Sequence, residues 1–231
     1  MRGKKSRLAA VVAAAGACAM LAACSPVKIG SAAIVGNDRI TASSLGTQVS
    51  NLQSDLQPYR VTATPQQLSS LVLGWLIKFQ IQDKVAANAG VTVNESDVQN
   101  ALSLLYKNEQ AAAAQQGGSV PRSVTVIYQG VPNSLSNELG TYYAQFLGFE
   151  KQANGGTLPS AAQQFTPDQA YYKASCQAQQ SLNIQVNPQY GQLNYGTNTP
   201  GFFYGVVPSN DVLSRPTGKA SPAVTPSFPA C

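Results

Sequence analysis

Four thiols, ten carboxylates and no imidazole are the groups with which this 231-residue chain could do chemistry. Without histidine there is no Ser-His-Asp or Cys-His nucleophile, no imidazole acid or base, and none of the commonest zinc ligand sets. Paired carboxylates can divide acid and base roles between them, and Glu95 and Asp97 stand two apart. Both follow Asn94 at the head of an apolar-periodic run, where capping and the helix dipole account for them. No Gly-x-Gly-x-x-Gly, phosphate loop or calcium-loop spacing is present, so no cofactor and no metal are expected. Tyr190, Tyr195, Phe202, Phe203 and Tyr204, punctuated by glycines, read either as an aromatic binding surface or as irregular chain docked onto a core through its rings.

Among the thiols, Cys24 has the most defined chemistry. Arg2, Lys4, Lys5 and Arg7 precede an unbroken small-apolar run from Leu8 to Met20, and Ala22-Ala23 supply the small residues of a cleavage site. The run is shorter than the ~20 residues that span a bilayer. Leu21-Ala22-Ala23-Cys24 resembles the lipobox of bacterial lipoproteins, whose cysteine carries the lipid, whereas Cys18 lacks a leucine three residues before it. Residues 1–23 are therefore expected to be a signal peptide, Cys24 the acylated (palmitate-bearing) first residue, and residues 24–30 a tether to the extracytoplasmic face of the cell membrane. Removing residues 1–23 takes four of fifteen basic side chains, leaving eleven against ten acidic ones, so the formal charge falls from +5 to +1. A basic face for nucleic acid loses its main support. Cys176 and Cys231 remain; in an oxidising compartment an even pair favours a disulfide, although spacing alone leaves two unpaired thiols open.

The elements that must position any site are mostly helices. Ala32–Val35, Gly36-Asn37-Asp38 and Arg39-Ile40 read as strand, turn and strand. Thr41 caps a helix with Leu45, Val49, Leu52 and Leu56 on one face. Pro58 interrupts it, and Thr64-Pro65 opens a second helix, reaching about Asn88, with Leu68, Leu71, Val72, Trp75, Leu76, Phe79 and Val85 as a broad stripe. Asn94 begins a third, burying Val98, Ala101, Leu102 and Leu105. Pro132 opens a fourth with Leu135, Leu139, Tyr142, Tyr143, Phe146 and Leu147, and Thr166-Pro167 a fifth presenting Tyr171, Ala174 and Ala178. Leu182, Ile184 and Val186 alternate as a strand that stops at Asn187-Pro188. The fold class expected is mainly α, with a small pairing of N- and C-terminal strands. One helical domain covers residues 31–195, followed by a Gly/Pro/Ser-rich segment over 196–231.

Ala32-Ala33-Ile34-Val35-Gly36-Asn37-Asp38-Arg39-Ile40-Thr41 opening a helix, several amphipathic helices, and a late helix followed by Ile184-Gln185-Val186-Asn187-Pro188-Gln189-Tyr190-Gly191 form a pattern. It resembles the N-terminal chaperone module of the SurA and PrsA foldases, particularly the actinobacterial lipoproteins, over roughly residues 30–195. The resemblance implies a SurA N-terminal-like helical domain that holds non-native exported polypeptides. The chain departs from the family at Gln189, where an arginine is familiar, and in having only the linker around Gly155 to Thr166 where the foldases carry a parvulin isomerase domain. With no parvulin domain and no histidine, the resemblance implies chaperone or scaffold behaviour without isomerase chemistry, and the chain is not expected to be an enzyme.

Two functions follow. A chaperone would bind unfolded or exported polypeptides in an apolar groove lined by Trp75, Phe79, Leu105, Tyr142, Tyr143 and Phe146, since non-directional apolar contact accepts many sequences. Helical spacing also makes the same residues core. An adaptor lipoprotein would instead bind one specific folded partner at the cell envelope. Whether those side chains are exposed separates the two.

Overall fold

The computed structural model describes residues 29–115, 118, 127, 129–157, 167–195 and 203–207. Over these residues the chain is mainly helical, with two small antiparallel sheets. The order is β1 (Ser31–Val35), β2 (Asp38–Thr41), α1 (Ala42–Leu56), α2 (Pro65–Ala89), α3 (Glu95–Gln115), α4 (Ser136–Ala153), α5 (Gln169–Leu182), β3 (Gln185–Val186), β4 (Gln192–Tyr195) and β5 (Phe203–Val207). Cys24, Cys231, the residues before Ile29 and those after Val207 lie outside the described residues, and with them the expected signal peptide, lipid site and tail.

Local hydrogen bonding sets the helix starts. Thr41 Oγ1 accepts the Ser44 N–H at 3.0 Å. Thr64 and Gln67 form a reciprocal capping box ahead of α2, with Pro65 at its first turn, and Gly90 closes the helix at φ 67. Asn94 Oδ1 accepts the Asp97 N–H at 3.1 Å while Asp97 Oδ2 accepts the Asn94 N–H at 2.9 Å. That exchange, beside Glu95 in the first turn of α3, engages the Asp97 carboxylate in capping. Three boundaries differ from the sequence expectation. The fourth helix, expected to open at Pro132, starts at Ser136 after a 3-10 turn over Asn133–Leu135. The fifth helix begins at Gln169, because Asp168 Oδ1 accepts the Tyr171 N–H at 2.8 Å and makes Asp168 the cap. Leu182 ends α5, and only Gln185–Val186 are strand, because Asn183 takes the left-handed conformation at φ 44 and turns the chain.

Strand order in the first sheet is β2-β1-β3, with Ala33 opposite Val186 and Ile34 opposite Gln185, so the expected joining of the chain's two halves is present. Further bonds hold the junction: Gly36 N–H donates to the Leu182 carbonyl, Asn187 N–H to the Ala32 carbonyl at 2.9 Å, and Asn187 Nδ2 to the Ser31 carbonyl at 3.1 Å. Gln189, exposed, donates its N–H to Asn187 Oδ1 at 3.2 Å, which makes this motif a turn.

Helix α2 is the hub, packed against α1, α4, α5 and β5, with Leu73 and Ile77 wholly buried. The β4–β5 hairpin corrects the expectation that the domain ends at residue 195, since Phe203 and Val206 belong to the same core. Gly74 explains the docking. A Cβ there would stand 3.2 Å from the Val206 nitrogen and 3.4 Å from the Gly205 Cα, so the missing side chain is what admits the strand's backbone. Ser70, one turn earlier, donates its hydroxyl to the Tyr190 carbonyl at 2.8 Å and fixes the approach to the hairpin.

Candidate functional site

Helical spacing puts Trp75 and Phe79 on one face of α2, and Tyr142 with Phe146 on one face of α4. Where the helices meet, Trp75 and Tyr142 pack edge to face with ring centroids 5.6 Å apart. Phe79 lies 5.7 Å from Trp75 and 6.2 Å from Tyr142, and Tyr143 stands 5.1 Å from Tyr142. Leu105 from α3, Val131, Leu135 and Leu139 complete the cluster. Trp75 and Leu105 are buried, and Phe79, Tyr142 and Tyr143 are half-buried.

Polar groups seal this cluster. Trp75 Nε1–H donates to the Gln129 carbonyl at 2.7 Å, Gln129 Nε2 donates to Glu109 at 2.6 Å, and the Tyr143 hydroxyl donates to Gln129 Oε1 at 3.3 Å. Lys78 lays its ammonium 4.6 Å from the centre of the Trp75 ring. Burial lowers the Lys78 pKa, and burial followed by the nearby Tyr142 and Glu109 raises that of Tyr143, which therefore stays protonated as the donor to Gln129.

Phe146 is not part of this set. It is buried 4.6 Å from Tyr171 of α5, with Phe149 5.6 Å from the same ring. The Tyr171 hydroxyl donates to Gln82 Oε1 in a buried polar layer that includes Ser175, Gln179 and Glu150. Desolvation, and next the charge of Asp168, raise the Glu150 pKa, although its carboxylate accepts a backbone N–H from Asp168. Of the six residues expected to line a groove, Trp75, Leu105 and Phe146 are buried and Phe79, Tyr142 and Tyr143 are half-buried. The six divide between two packed clusters, because the stripe on α2 is broad enough for α3 and α4 to cover one side while α5 covers Phe146 of α4.

A separate concavity lies at the corner between α1 and α2. A cavity of about 520 Å³ is lined by Gln53, Leu56, Gln57, Val61, Thr64, Gln67 and their neighbours. Leu68 is buried at its base, and Tyr59 and Val61 on the connecting turn are 47% and 53% exposed. Pro58 ends α1 in a 3-10 turn, and Arg60 at φ 54 swings the chain out before Thr64 restarts it, which opens the corner. Among the described residues its lining contains amides, hydroxyls and aliphatic groups and no ionisable side chain, a surface suited to holding a ligand segment. Sequence reasoning passed over this site; the available signal was an aromatic and a valine inside a helix-helix connection. Among the described residues no cluster of three or more metal-ligating side chains occurs, and no helix is long and apolar enough to cross a membrane. Cys176 is disulfide-bonded, and the other three cysteines all fall outside the described residues.

No protein-family model matches the chain, and neither does any curated protein or solved structure compared with it. The likeness to the SurA and PrsA module therefore rests on the sequence elements quoted above.

Proposed function

We propose that this chain is a lipid-anchored, extracytoplasmic adaptor, a non-catalytic helical body of SurA-like element order that binds a specific folded partner at the α1–α2 corner. The closure of the aromatic stripe around Trp75 carries this reading. A chaperone needs a wide apolar surface that many unfolded sequences can share, and the residues expected to supply it are spent on packing helices together. The α1–α2 corner holds a cavity of about 520 Å³, a volume suited to one short segment. Fixed amide and hydroxyl groups select for matching polar groups, and exposed Val61 in the lining gives the contact its apolar anchor.

Affinity capture from a membrane extract with the lipidated protein tests it. One stoichiometric protein, lost on Val61→Glu, supports the adaptor. A heterogeneous set of unfolded chains, with suppression of their aggregation by the purified protein, refutes it in favour of the chaperone.

A further inference from the structure

The end of the body that emerges toward Cys24 has a defined geometry. Ile29 is 95% exposed, and immediately beyond it the chain is clamped: the Arg39 guanidinium donates to the Ile29 carbonyl, and the Ala42 N–H donates to the Gly30 carbonyl at 2.9 Å. Gly30 sits at φ 76, where a side chain is strained, and a Cβ there would come within 3.1 Å of the Arg39 Nη2 tip. Arg39 is itself exposed, and Lys28 precedes Ile29 in the sequence. An exposed isoleucine whose carbonyl carries the Arg39 guanidinium matches a membrane interface, where the apolar group enters the acyl boundary and the cation meets lipid phosphates.

Tether length makes the membrane the occupant. Ile29 follows Cys24 by five residues, and at full extension five residues reach at most ~18 Å, so a lipid on Cys24 keeps Ile29 within that distance of the bilayer. Helix α1 starts at the clamp with Ala42 and runs fifteen residues to Leu56, a length of ~22 Å, before the corner that carries the cavity. We propose that the Ile29–Arg39 end rests on the outer face of a phospholipid bilayer, with Ile29 in the interface and Arg39 at the phosphates, and that the α1–α2 cavity is thereby presented away from it. This inference rests on acylation at Cys24 and gives the adaptor reading its orientation.

The lipidated protein reconstituted in phosphatidylcholine–phosphatidylglycerol vesicles containing bromolipid is the system to measure. Ile29→Trp and Val61→Trp place a second indole at either end of α1, both at exposed positions that tolerate the change, with native Trp75 as the common background. The bromolipid-quenched emission of Ile29→Trp should exceed that of Val61→Trp by about twofold or more, as expected for a side chain seated in the interface. Equal quenching, or stronger quenching at Val61→Trp, in a protein whose mass includes the lipid overturns the orientation alone. A protein whose mass lacks the lipid, or whose vesicle association survives Cys24→Ser, overturns the anchor on which the orientation depends.

Discussion

Trp75 is the test of whether the aromatic stripe is core or groove. It is 7% exposed, donates its indole N–H to the Gln129 carbonyl at 2.7 Å, and stacks against both Phe79 and Tyr142. Truncating a buried tryptophan to alanine costs ~3–5 kcal/mol. Burial of ~150–250 Å² at ~25 cal/mol per Å² gives a similar ~4–6 kcal/mol. For a domain of this size, each kcal/mol lowers Tm by ~2–4 °C, so Trp75→Ala should melt ~6–20 °C below the parent. Trp75→Phe keeps most of the ring contact and loses the donor, which should cost ~1–3 kcal/mol. Urea unfolding followed by far-UV circular dichroism serves both variants, since the chain's single tryptophan is the residue removed. A groove-lining tryptophan would behave otherwise, leaving the urea midpoint unchanged or raising it. A loss below ~1 kcal/mol for Trp75→Ala would therefore refute the sealed cluster and return these side chains to a binding surface.

Further outcomes follow from the same packing. Glu150 holds its proton more tightly in the fold than in the unfolded chain, so its contribution to stability is present in acid and is lost as pH rises through its elevated folded pKa. Glu150→Gln should raise the urea midpoint at neutral pH and flatten the acid-to-neutral dependence, and a lowered midpoint at pH 7 would contradict this. Gly140→Ala would place a Cβ 2.7 Å from Val98 Cγ1 and 2.9 Å from Leu102 Cγ, costing ~1–3 kcal/mol by calorimetry. Gly46→Ala on α1 meets nothing within 4 Å, and should stabilise by ~0.5–1 kcal/mol. A non-reducing digest should release Cys176 linked to Cys231, and reduction should lower stability by ~3–4 kcal/mol; Cys176 linked to any other cysteine would refute the pairing expected from sequence.

Most helix starts were legible because their determinants are local. Thr41, the Thr64–Gln67 box and the Asn94–Asp97 exchange each close hydrogen bonds within three residues, and such bonds depend on little beyond the segment itself. Asp168 shows the limit of this reading. The sequence pattern puts the start at Thr166-Pro167, and only the built helix shows Asp168 accepting the Tyr171 N–H. The hairpin β4–β5 was illegible for a different reason: its partner is a bare glycine in α2, more than a hundred residues earlier, and nothing near Phe203 records that Gly74 has left room for it. The cavity escaped notice because no single residue in its lining carries chemistry, and its shape comes from the angle between two helices.

The sequence by itself determined the chemical inventory, the apolar face of each helix, and the strand at each end of the helical run. These follow from residue type, from a period of 3.6 or 2, and from hydrogen bonds a few residues long. Only the tertiary structure decided what covers each face. Periodicity assigns Trp75, Tyr142 and Phe146 to apolar stripes, but whether a stripe is sealed or open depends on where other helices lie, and those positions are set by packing between residues far apart in the chain. Here α3 and α4 close over Trp75, α5 closes over Phe146, and an open concavity lies at the corner beside Val61 and Leu68.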